Sequence, residues 1–550
     1  MRVGLGQFNA VVGDLSGNIK KMHRIYTSAL RCDIDLLVFP ELAVCGYPPE
    51  DLLHKKYFLD DCLGAAEKLA ADCPDKTIIL GLPVREDDKN YNCAAVISGG
   101  KIREIYRKRF LPNLSVFDEQ RYFVAGTEPL VTEVGGLKIA ITICADIWEV
   151  KRLATFFNDS GQIQMILNIS ASPFCLGKSS KRQAVVSECA RKFNSAVCYC
   201  NLVGGQDEVV FDGRSMFCDS QGRIVSCGGA FEEDLLIADV LPVGDKEVRV
   251  EPIGERKSDV LEPLEEIYQA LVLGTSDYVR KNGFQKVLLG LSGGIDSSVV
   301  AAIAFGALGA ENVLGVTMPS KFSSIETICD AKKVAKNLGI DFLTIPIEPI
   351  LGQFDKSLGV LAGWNRETVA YENLQARIRG NILMSLSNQF GCLVLTTGNK
   401  SETAVGYTTL YGDTAGGFAV IKDVPKTLVY KLAEHINRVM CREVIPADVI
   451  NRAPSAELRE GQKDSDTLPS YDLLDEILKG YVEEDKSARE LIESGLPKED
   501  VCRVIRMVDR NEYKRRQSPP GIKITPKSFG KDRRLPITNR YSSWNDIDIK

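Results

Sequence analysis

A short polar stretch just past the middle of the chain has the residue types that bind phosphates. Residues 290–300 read GLSGGIDSSVV and follow the apolar run 287–289. Glycines let a backbone approach a ligand closely, and successive N–H groups at a helix N-terminus bind phosphate oxygens. The serine hydroxyls add donors, and Asp296 could hold a Mg²⁺ that screens the phosphate charge. The pattern therefore predicts a strand, a phosphate-binding turn and a helix that begins near Asp296.

This turn matches neither the Walker A loop, because no Gly-Lys-Ser/Thr follows, nor the Gly-x-Gly-x-x-Gly dinucleotide fingerprint. The string S-G-G-x-D-S-S resembles the pyrophosphate-binding loop of the ATP pyrophosphatases, which cleave ATP to AMP and pyrophosphate. The resemblance implies ATP as a co-substrate, Mg²⁺ as a cofactor and an adenylated carboxylate or carbonyl as the intermediate. The ATP-binding residues that it implies, together with a threonine at a later strand end, are Gly290, Leu291, Ser292, Gly293, Gly294, Ile295, Asp296, Ser297 and Thr397.

Three downstream motifs narrow the resemblance. ENLQARIRG (372–380), TGNKSETAVGYTTLYGDTAGG (397–417) and VIKDVPKTLVYKLA (420–433) are similar to the NAD synthetase family. This family resemblance implies adenylation of the nicotinate carboxylate of deamido-NAD and attack by ammonia to give NAD. The implied magnesium ligands are Asp296 and Glu402, and the implied deamido-NAD-binding residues are Asn373, Arg377, Glu402 and Lys514.

Two of these candidates can be compared by spacing alone. Asn373 and Arg377 are one helical turn apart, so they share a face and could reach one dinucleotide. Asp413 is a weaker candidate, because Gly-Asp turns are common. Lys514 lies in a basic strip, residues 511–540, that is either a solvated tail or a surface that meets phosphates.

The first half of the chain carries a second set of reactive residues. Glu41 follows the apolar run LLVF, Lys108 lies in YRKRFLPN, and Cys144 follows the run KIAITI. Only three histidines are present, and none lies in a stretch with other candidate reactive residues. A Ser-His-Asp or Cys-His mechanism is therefore poorly supported. We therefore expect any nucleophile here to use a carboxylate or a lysine as its base.

These three pieces resemble the Glu-Lys-Cys triad of the nitrilase-like carbon–nitrogen hydrolases, which fold as a four-layer αββα sandwich. The resemblance implies that Glu41 is the base, Lys108 the oxyanion stabiliser and Cys144 the nucleophile that releases ammonia from L-glutamine. It also implies that Ser172 and Lys178 bind glutamine, and Glu119 is a candidate second carboxylate. Position 114 is Leu where these domains usually have Tyr, so a phenol contact is missing or comes from elsewhere.

The patterns of strands and helices alternate along the whole chain, which predicts an α/β protein whose elements position these residues. Several apolar runs lack alternation, which is typical of strands buried on both faces. In the second half the strand and helix patterns predict a doubly wound parallel sheet. We expect a nitrilase-like domain at 1–245, a linker at 246–262 and a synthetase domain at 263–550, with a helix at 263–283. The predicted strands are 36–39, 77–80, 138–143, 165–169, 196–202, 287–289, 312–317, 341–346 and 392–396.

Composition excludes several other classes. The net charge of −6 gives no general attraction to nucleic acid or to an anionic membrane. No run approaches 18 apolar residues, and the sixteen cysteines have no C-x-x-C spacing, so we expect free thiols in the cytoplasm. The expected partners are small molecules, namely deamido-NAD, ATP and L-glutamine, together with further copies of the chain in a homo-oligomer.

Three alternatives stay open at this stage. The first domain could be a non-catalytic ammonia conduit or scaffold on an ammonia-dependent synthetase. An RNA-modifying pyrophosphatase would be expected to have a Cys-x-x-Cys motif or a broadly basic surface. In this chain only residues 511–540 are basic. A nucleotide-binding regulatory module is the non-enzymatic alternative, and two complete sets of reactive residues disfavour it.

Overall fold

The chain divides into two units, Met1–Leu261 and Glu262–Lys550. The computed structural model describes residues 1–243, 247–254 and 261–541. Over these ranges, no helix is both long and apolar enough to cross a membrane. All sixteen cysteines are free thiols.

The first unit is rich in strands. Its strands are β1 (Arg2–Gln7), β2 (Leu36–Val38), β3 (Thr77–Glu86), β4 (Lys89–Ser98), β5 (Lys101–Arg107), β6 (Val131–Val134), β7 (Leu137–Ile143), β8 (Met165–Ser170), β9 (Ala196–Asn201), β10 (Val203–Gln206), β11 (Val209–Asp212), β12 (Met216–Cys218), β13 (Ile224–Cys227), β14 (Asp234–Val243) and β15 (Glu247–Pro252). Its helices are α1 (Leu15–Arg31), α2 (Lys56–Asp72), α3 (Val150–Phe156) and α4 (Lys178–Phe193).

Two sheets form the centre of this unit. The seven-stranded sheet has the order β15-β14-β1-β2-β3-β4-β5, and the six-stranded sheet has the order β13-β12-β9-β8-β7-β6. Within β2, Leu36 and Val38 pack in the core between the two sheets, whereas Leu37 packs beneath α1 and α2. Helices α3 and α4 cover the outer face of the six-stranded sheet. Because side chains alternate between two apolar faces, the strands read as continuous apolar runs. This confirms the predicted αββα sandwich.

Part of the segment predicted as a linker, 246–262, is a strand. Val248 and Val250 are buried and alternate with exposed residues, and Val250 pairs with Val240 of β14 in antiparallel register. Two buried positions were too short a periodic signal to distinguish an edge strand from a loop. Residue 246 and residues 255–260 of the predicted linker lie outside the described ranges.

The second unit alternates strands with helices. Its strands are β16 (Val287–Gly290), β17 (Val313–Thr317), β18 (Asp341–Thr344), β19 (Leu393–Thr396) and β20 (Phe418–Ala419). Its helices are α5 (Pro263–Lys281), α6 (Ile295–Leu308), α7 (Ile325–Leu338), α8 (Glu348–Leu358), α9 (Val369–Phe390), α10 (Lys400–Val405), α11 (Lys426–Val439), α12 (Ala447–Asn451), α13 (Tyr471–Leu478), α14 (Ala488–Glu493), α15 (Lys498–Arg510) and α16 (Glu512–Arg515).

The five strands form one sheet in the order β18-β17-β16-β19-β20, and every pair is parallel. From β16 the chain adds β17 and β18 on one side of the sheet and then β19 and β20 on the other side. Such a reversal leaves a crevice at the carboxyl ends of β16 and β19, where sheets of this kind bind ligands. The predicted doubly wound parallel sheet is confirmed. Each predicted strand coincides with an observed one, and the largest difference is β3, which continues to Glu86.

Candidate active sites

A buried cluster of charges lies in the first unit, where Glu41 follows β2 and Lys108 directly follows β5. The Lys108 Nζ donates to Glu41 Oε1 at 2.6 Å, and neither side chain is exposed. Glu41 Oε1 also accepts from Asn92 Nδ2 at 2.7 Å, and Glu41 Oε2 accepts from the backbone N–H of Ala171 at 2.9 Å. Both oxygens of the carboxylate are therefore fixed in orientation.

Glu119 completes the cluster. Its Oε1 accepts from Lys108 Nζ at 2.8 Å and from the hydroxyl of Tyr47 at 2.9 Å. Burial raises the pKa of Glu119 to about 7, although Lys108 opposes the rise. Burial by itself would lower the pKa of Lys108, but the carboxylates of Glu119 and Glu41 raise it overall. Lys108 is thus a fixed positive charge at neutral pH.

Cys144 directly follows β7 and begins a short 3₁₀ turn, Cys144–Glu149. Its φ of +41° lies in the left-handed region that non-glycine residues rarely adopt, a form of strain that concentrates at functional sites. Burial raises the pKa of the thiol to about 12; Glu41 adds to the rise and Lys108 opposes it. The thiol is therefore protonated at neutral pH, and it needs a base before it can attack.

Lys178, a predicted glutamine contact, lies near enough to Cys144 for their charges to interact. Lys178 begins α4, and its Nζ is 5.8 Å from the ring centre of Phe117 and 6.0 Å from that of Trp148. Burial, helped by nearby Arg182, lowers the pKa of Lys178, while Cys144 is among the groups that oppose this shift. Leu114 is 70% exposed, so it provides neither a hydroxyl nor a buried contact.

Ser172 is buried, and its backbone is held from two sides. Its N–H donates to Asn201 Oδ1 at 2.9 Å, and its carbonyl accepts from Arg182 at 3.4 Å. Arg182 is itself fixed by a buried ion pair with Asp212, at 2.8 Å. The segment that carries Ser172 is therefore rigidly placed.

In the second unit, the predicted phosphate loop lies between β16 and α6. Gly293 has a φ of +85°, and a Cβ at this position would lie 2.0 Å from the carbonyl oxygen of Thr327. Only glycine fits there. Ser292 Oγ accepts from the N–H of Gly294 at 3.2 Å, and Ser297 Oγ donates to the Gly294 carbonyl at 3.0 Å. The serines thus brace the turn at the start of the helix.

The two predicted metal ligands converge, although they are far apart in sequence. Asp296 lies in the first turn of α6 and Glu402 in α10, and Lys426 Nζ forms ion pairs with both. Asn399 donates from Nδ2 to Asp296 Oδ1 at 2.9 Å, while its Oδ1 accepts from the N–H of Glu402 at 3.0 Å. Burial raises the pKa of Glu402 to about 7; Lys426 opposes this and Asp296 adds to it. Thr397 directly follows β19 and is partly buried.

Three of the predicted dinucleotide contacts converge on one loop, residues 406–413. Asn373 Oδ1 accepts from Thr409 Oγ1 at 2.7 Å, and the exposed Arg377 donates to the carbonyl of Leu410 at 3.2 Å. Lys514 Nζ donates to the carbonyls of Gly406 and Thr408 at 2.7 and 2.9 Å. In the same loop, Asp413 Oδ1 accepts from the N–H of Thr409, which is a turn-forming bond.

Much of the basic strip, 511–540, is packed onto the second unit. Arg515 is 6% exposed and pairs with Glu512, and the buried Lys523 pairs with Asp532. The N–H groups of residues 524 and 525 both donate to Asp423 at 2.8 Å. A solvated tail therefore does not describe this part of the strip.

Sequence reasoning missed several residues that shape both sites. Asn92 orients Glu41, Tyr47 orients Glu119, and Lys426 joins the two predicted metal ligands. Lys426 and Asn399 both lie inside motifs that carried the family resemblance. Their role was hidden because it depends on partners more than 100 residues away, such as the 130 residues between Lys426 and Asp296.

Comparison with known proteins identifies two families in this chain. Residues 2–244 match the carbon-nitrogen hydrolase family and residues 267–518 match the NAD synthase family. The chain is 46% identical to the glutamine-dependent NAD(+) synthetase of Thermotoga maritima, covering 98% of this chain and 99% of that protein. It is also 46% identical to the synthetase of that description from Aquifex aeolicus, covering 98% and 100%.

A solved structure also matches nearly the whole chain. The glutamine-dependent NAD+ synthetase of Acinetobacter baumannii, determined in complex with adenosine diphosphate, is 41% identical with a TM-score of 0.78. The match covers 99% of both chains. Identity at this level over nearly the full length, together with both family matches, shows that the chain belongs to the glutamine-dependent NAD(+) synthetases.

Proposed function

We propose that this chain is an ATP-dependent ligase that converts deamido-NAD to NAD with ammonia released from L-glutamine. The observation that carries the proposal is the presence of two separate, complete sets of reactive groups. In the first unit, Lys108 lies between two buried carboxylates beside Cys144. In the second, a glycine loop leads into Asp296, which Lys426 joins to Glu402.

In the glutaminase reaction, Glu41 accepts the thiol proton and the sulfur of Cys144 attacks the carboxamide carbon of glutamine. The oxyanion that forms is stabilised by the ammonium group of Lys108, whose charge is already in place before the reaction. Ammonia leaves when the carbon–nitrogen bond breaks, carrying a proton returned by Glu41. Water then hydrolyses the thioester to glutamate, and the thiol is restored. Ser172 and Lys178 hold the substrate.

In the synthetase reaction, the nicotinate carboxylate attacks the α-phosphate of ATP, so that pyrophosphate leaves and an adenylate forms. Gly290–Ser297 bind the ATP, because the loop N–H groups and hydroxyls lie at the start of α6. Thr397 adds a contact at the carboxyl end of β19. Ammonia then displaces AMP to give the amide of NAD. Asn373, Arg377, Glu402 and Lys514 bind deamido-NAD.

A magnesium ion fits the acidic pair of this site. Asp296 and Glu402 are hard oxygen ligands, and Mg²⁺ is usually bound by one or two carboxylates together with substrate phosphates. Within the described ranges, no group of three or more His, Cys, Asp or Glu side chains could hold a metal by itself. Bound there, Mg²⁺ would neutralise charge on the pyrophosphate leaving group.

We also propose that the protein is a cytoplasmic homo-oligomer. A groove between α8 and α9 is lined by apolar side chains that include Ile350, Ile378 and Leu386. Phe354, which is 43% exposed, also lines this groove. An apolar face of this kind is covered most simply by a second copy related by a two-fold axis. Light scattering tests the assembly, and Phe354→Glu should shift it towards the monomer.

The alternatives are less well supported. A non-catalytic first domain would not need a strained, buried cysteine beside a Lys–Glu cluster, and the full-length relatives are glutamine-dependent. The basic strip was the one feature that supported an RNA-modifying pyrophosphatase. It no longer supports that alternative, because much of the strip forms internal ion pairs. A purely regulatory nucleotide-binding module does not explain the first site.

The decisive experiment compares two nitrogen sources. Purified protein is incubated with deamido-NAD, Mg-ATP and either glutamine or ammonium, while NAD, AMP and pyrophosphate are followed. We expect Cys144→Ala to lose glutamine-dependent synthesis and to keep the ammonium-dependent reaction, because the nucleophile and the adenylating site lie on different units. Glutamine-dependent activity that survives in Cys144→Ala would refute the assignment of the nucleophile.

A further inference from the structure

The candidate base, cation and nucleophile of the glutaminase reaction do not come from one sheet. Lys108 follows β5 of the seven-stranded sheet, whereas Cys144 follows β7 of the six-stranded sheet. Apolar packing between two sheets does not by itself fix the position of one strand end relative to another. Misplacement of reacting groups by about 1 Å can cost about 100-fold in rate. Some polar contact must therefore set this distance.

Asp146 makes this contact, and its side chain is fully buried. Its Oδ1 accepts from the N–H groups of Arg109 and Phe110, at 3.2 and 2.8 Å, immediately after Lys108. Its Oδ2 accepts from the N–H of Ile143 at 2.8 Å, immediately before Cys144.

The fourth donor comes from the strand that leads to Lys108. The hydroxyl of Tyr106, in β5, donates to Asp146 Oδ2 at 2.9 Å. One carboxylate thus joins the ends of the two strands that carry the cation and the nucleophile. No other acidic side chain among the described residues bonds to both segments.

We propose that Asp146 is a positioning residue that sets the distance between Lys108 and Cys144 for glutamine hydrolysis. The proposal rests on the glutaminase function proposed above. Asp146 does not touch the reacting atoms: it acts through the backbone on either side of it. It also fixes the 3₁₀ turn that begins at Cys144, because Asp146 lies in the first turn and accepts from the residue before it.

Only a carboxylate can make all four bonds. Each oxygen of Asp146 accepts from two donors, so both ends of the side chain must be acceptors. An asparagine has one acceptor end and one donor end, so whichever way it turns it presents its N–H groups to at least one buried backbone N–H. Burial raises the pKa of Asp146 to about 6, against the donors of Ile143 and Phe110, so the group is ionised at neutral pH.

The test is Asp146→Asn in the full-length protein, with Asp219→Asn as the matched control. Asp219 is also largely buried and accepts from the N–H groups of Gln221 and Arg223, at 3.0 and 2.9 Å, but it lies in a turn after β12. Three quantities are measured for each variant: kcat and KM for glutamine hydrolysis, ammonium-dependent NAD synthesis, and the rate at which iodoacetamide alkylates the peptide that contains Cys144.

For Asp146→Asn we expect kcat to fall about 100-fold, KM for glutamine to change less than about threefold, and alkylation of Cys144 to slow. Ammonium-dependent synthesis should be unchanged. Asp219→Asn should keep the wild-type kcat and alkylation rate even if it melts earlier. Tyr106→Phe removes only one of the four donors and should lower kcat by about threefold to tenfold, which keeps the test available if Asp146→Asn does not fold.

Three results are distinguishable. Wild-type kcat and alkylation in Asp146→Asn, with Cys144→Ala inactive, would overturn the positioning role and leave the glutaminase assignment intact. Glutamine hydrolysis that persists in Cys144→Ala would overturn the assignment itself. If Asp146→Asn does not fold and Tyr106→Phe has the wild-type kcat, the positioning role is again refuted.

Discussion

The strongest energetic prediction concerns the replacement of Lys108 by methionine, which has a similar shape and no charge. Lys108 is 1% exposed and its ammonium group forms ion pairs with both Glu41 and Glu119. Its removal leaves two neighbouring buried carboxylates without a counter-charge. Breaking a buried pair in this way typically costs about 3–5 kcal/mol. At about 2–4 °C per kcal/mol for a domain of this size, the melting temperature of the first unit should fall by about 10 °C.

The stability lost in Lys108→Met should also depend on pH. The pKa of Glu119 is already raised to about 7 in the folded protein by burial, with Lys108 opposing the rise. Without Lys108 the folded pKa rises further above the unfolded value. The stability that Glu119 contributes is then complete below its unfolded pKa and is lost as the pH rises through the folded pKa. The destabilisation relative to wild type should therefore be larger at pH 8 than at pH 6.

The assay is calorimetric unfolding of the full chain, in which the transition that Mg-ATP does not shift is assigned to the first unit. The double variant Lys108→Met/Glu119→Gln removes the repulsion and should recover about half of the lost stability, since one buried carboxylate remains. Glutamine hydrolysis should be absent in both variants. A melting temperature for Lys108→Met within about 3 °C of wild type would refute the buried ion cluster.

Three further predictions concern the second unit. Asp296→Asn should abolish NAD synthesis from glutamine and from ammonium alike, because the metal and Lys426 both lose a charged partner; normal ammonium-dependent turnover would remove Asp296 from the site. Because burial raises the pKa of Glu402 to about 7, the Mg²⁺ concentration needed for half-maximal deamido-NAD-dependent exchange of pyrophosphate into ATP should rise as the pH falls below about 7. A flat requirement between pH 6 and 8 would contradict the ligand role of Glu402. Lys514→Met should raise KM for deamido-NAD about tenfold and leave glutamine hydrolysis unchanged. An unaltered KM would mean that Lys514 only donates hydrogen bonds to the carbonyls of Gly406 and Thr408.

The sequence by itself determined the parts of this protein that depend on local order. Apolar runs of four to seven residues located the buried strands, since a strand between two apolar layers shows no polar alternation. The turn at 290–298 was recognisable because a glycine-rich bend between a strand and a helix has few physical uses. Thr397 was predicted as a contact because it lies at a strand end, where open α/β sheets bind ligands. Glu41 and Cys144 also follow apolar runs, but their roles, with that of Lys108, were implied by the resemblance of these segments to the Glu-Lys-Cys triad.

Only the tertiary structure decided which of these residues meet, and what holds them. Asn92 orients Glu41 across 51 residues, and Lys426 joins Asp296 across 130. Asp146 links two strand ends that belong to different sheets. Periodicity reports only whether a side chain faces a core, so a buried asparagine or lysine has no local signal of its partner. Those partners are fixed by strand register and by the packing of layers, which exist only once the whole chain has folded.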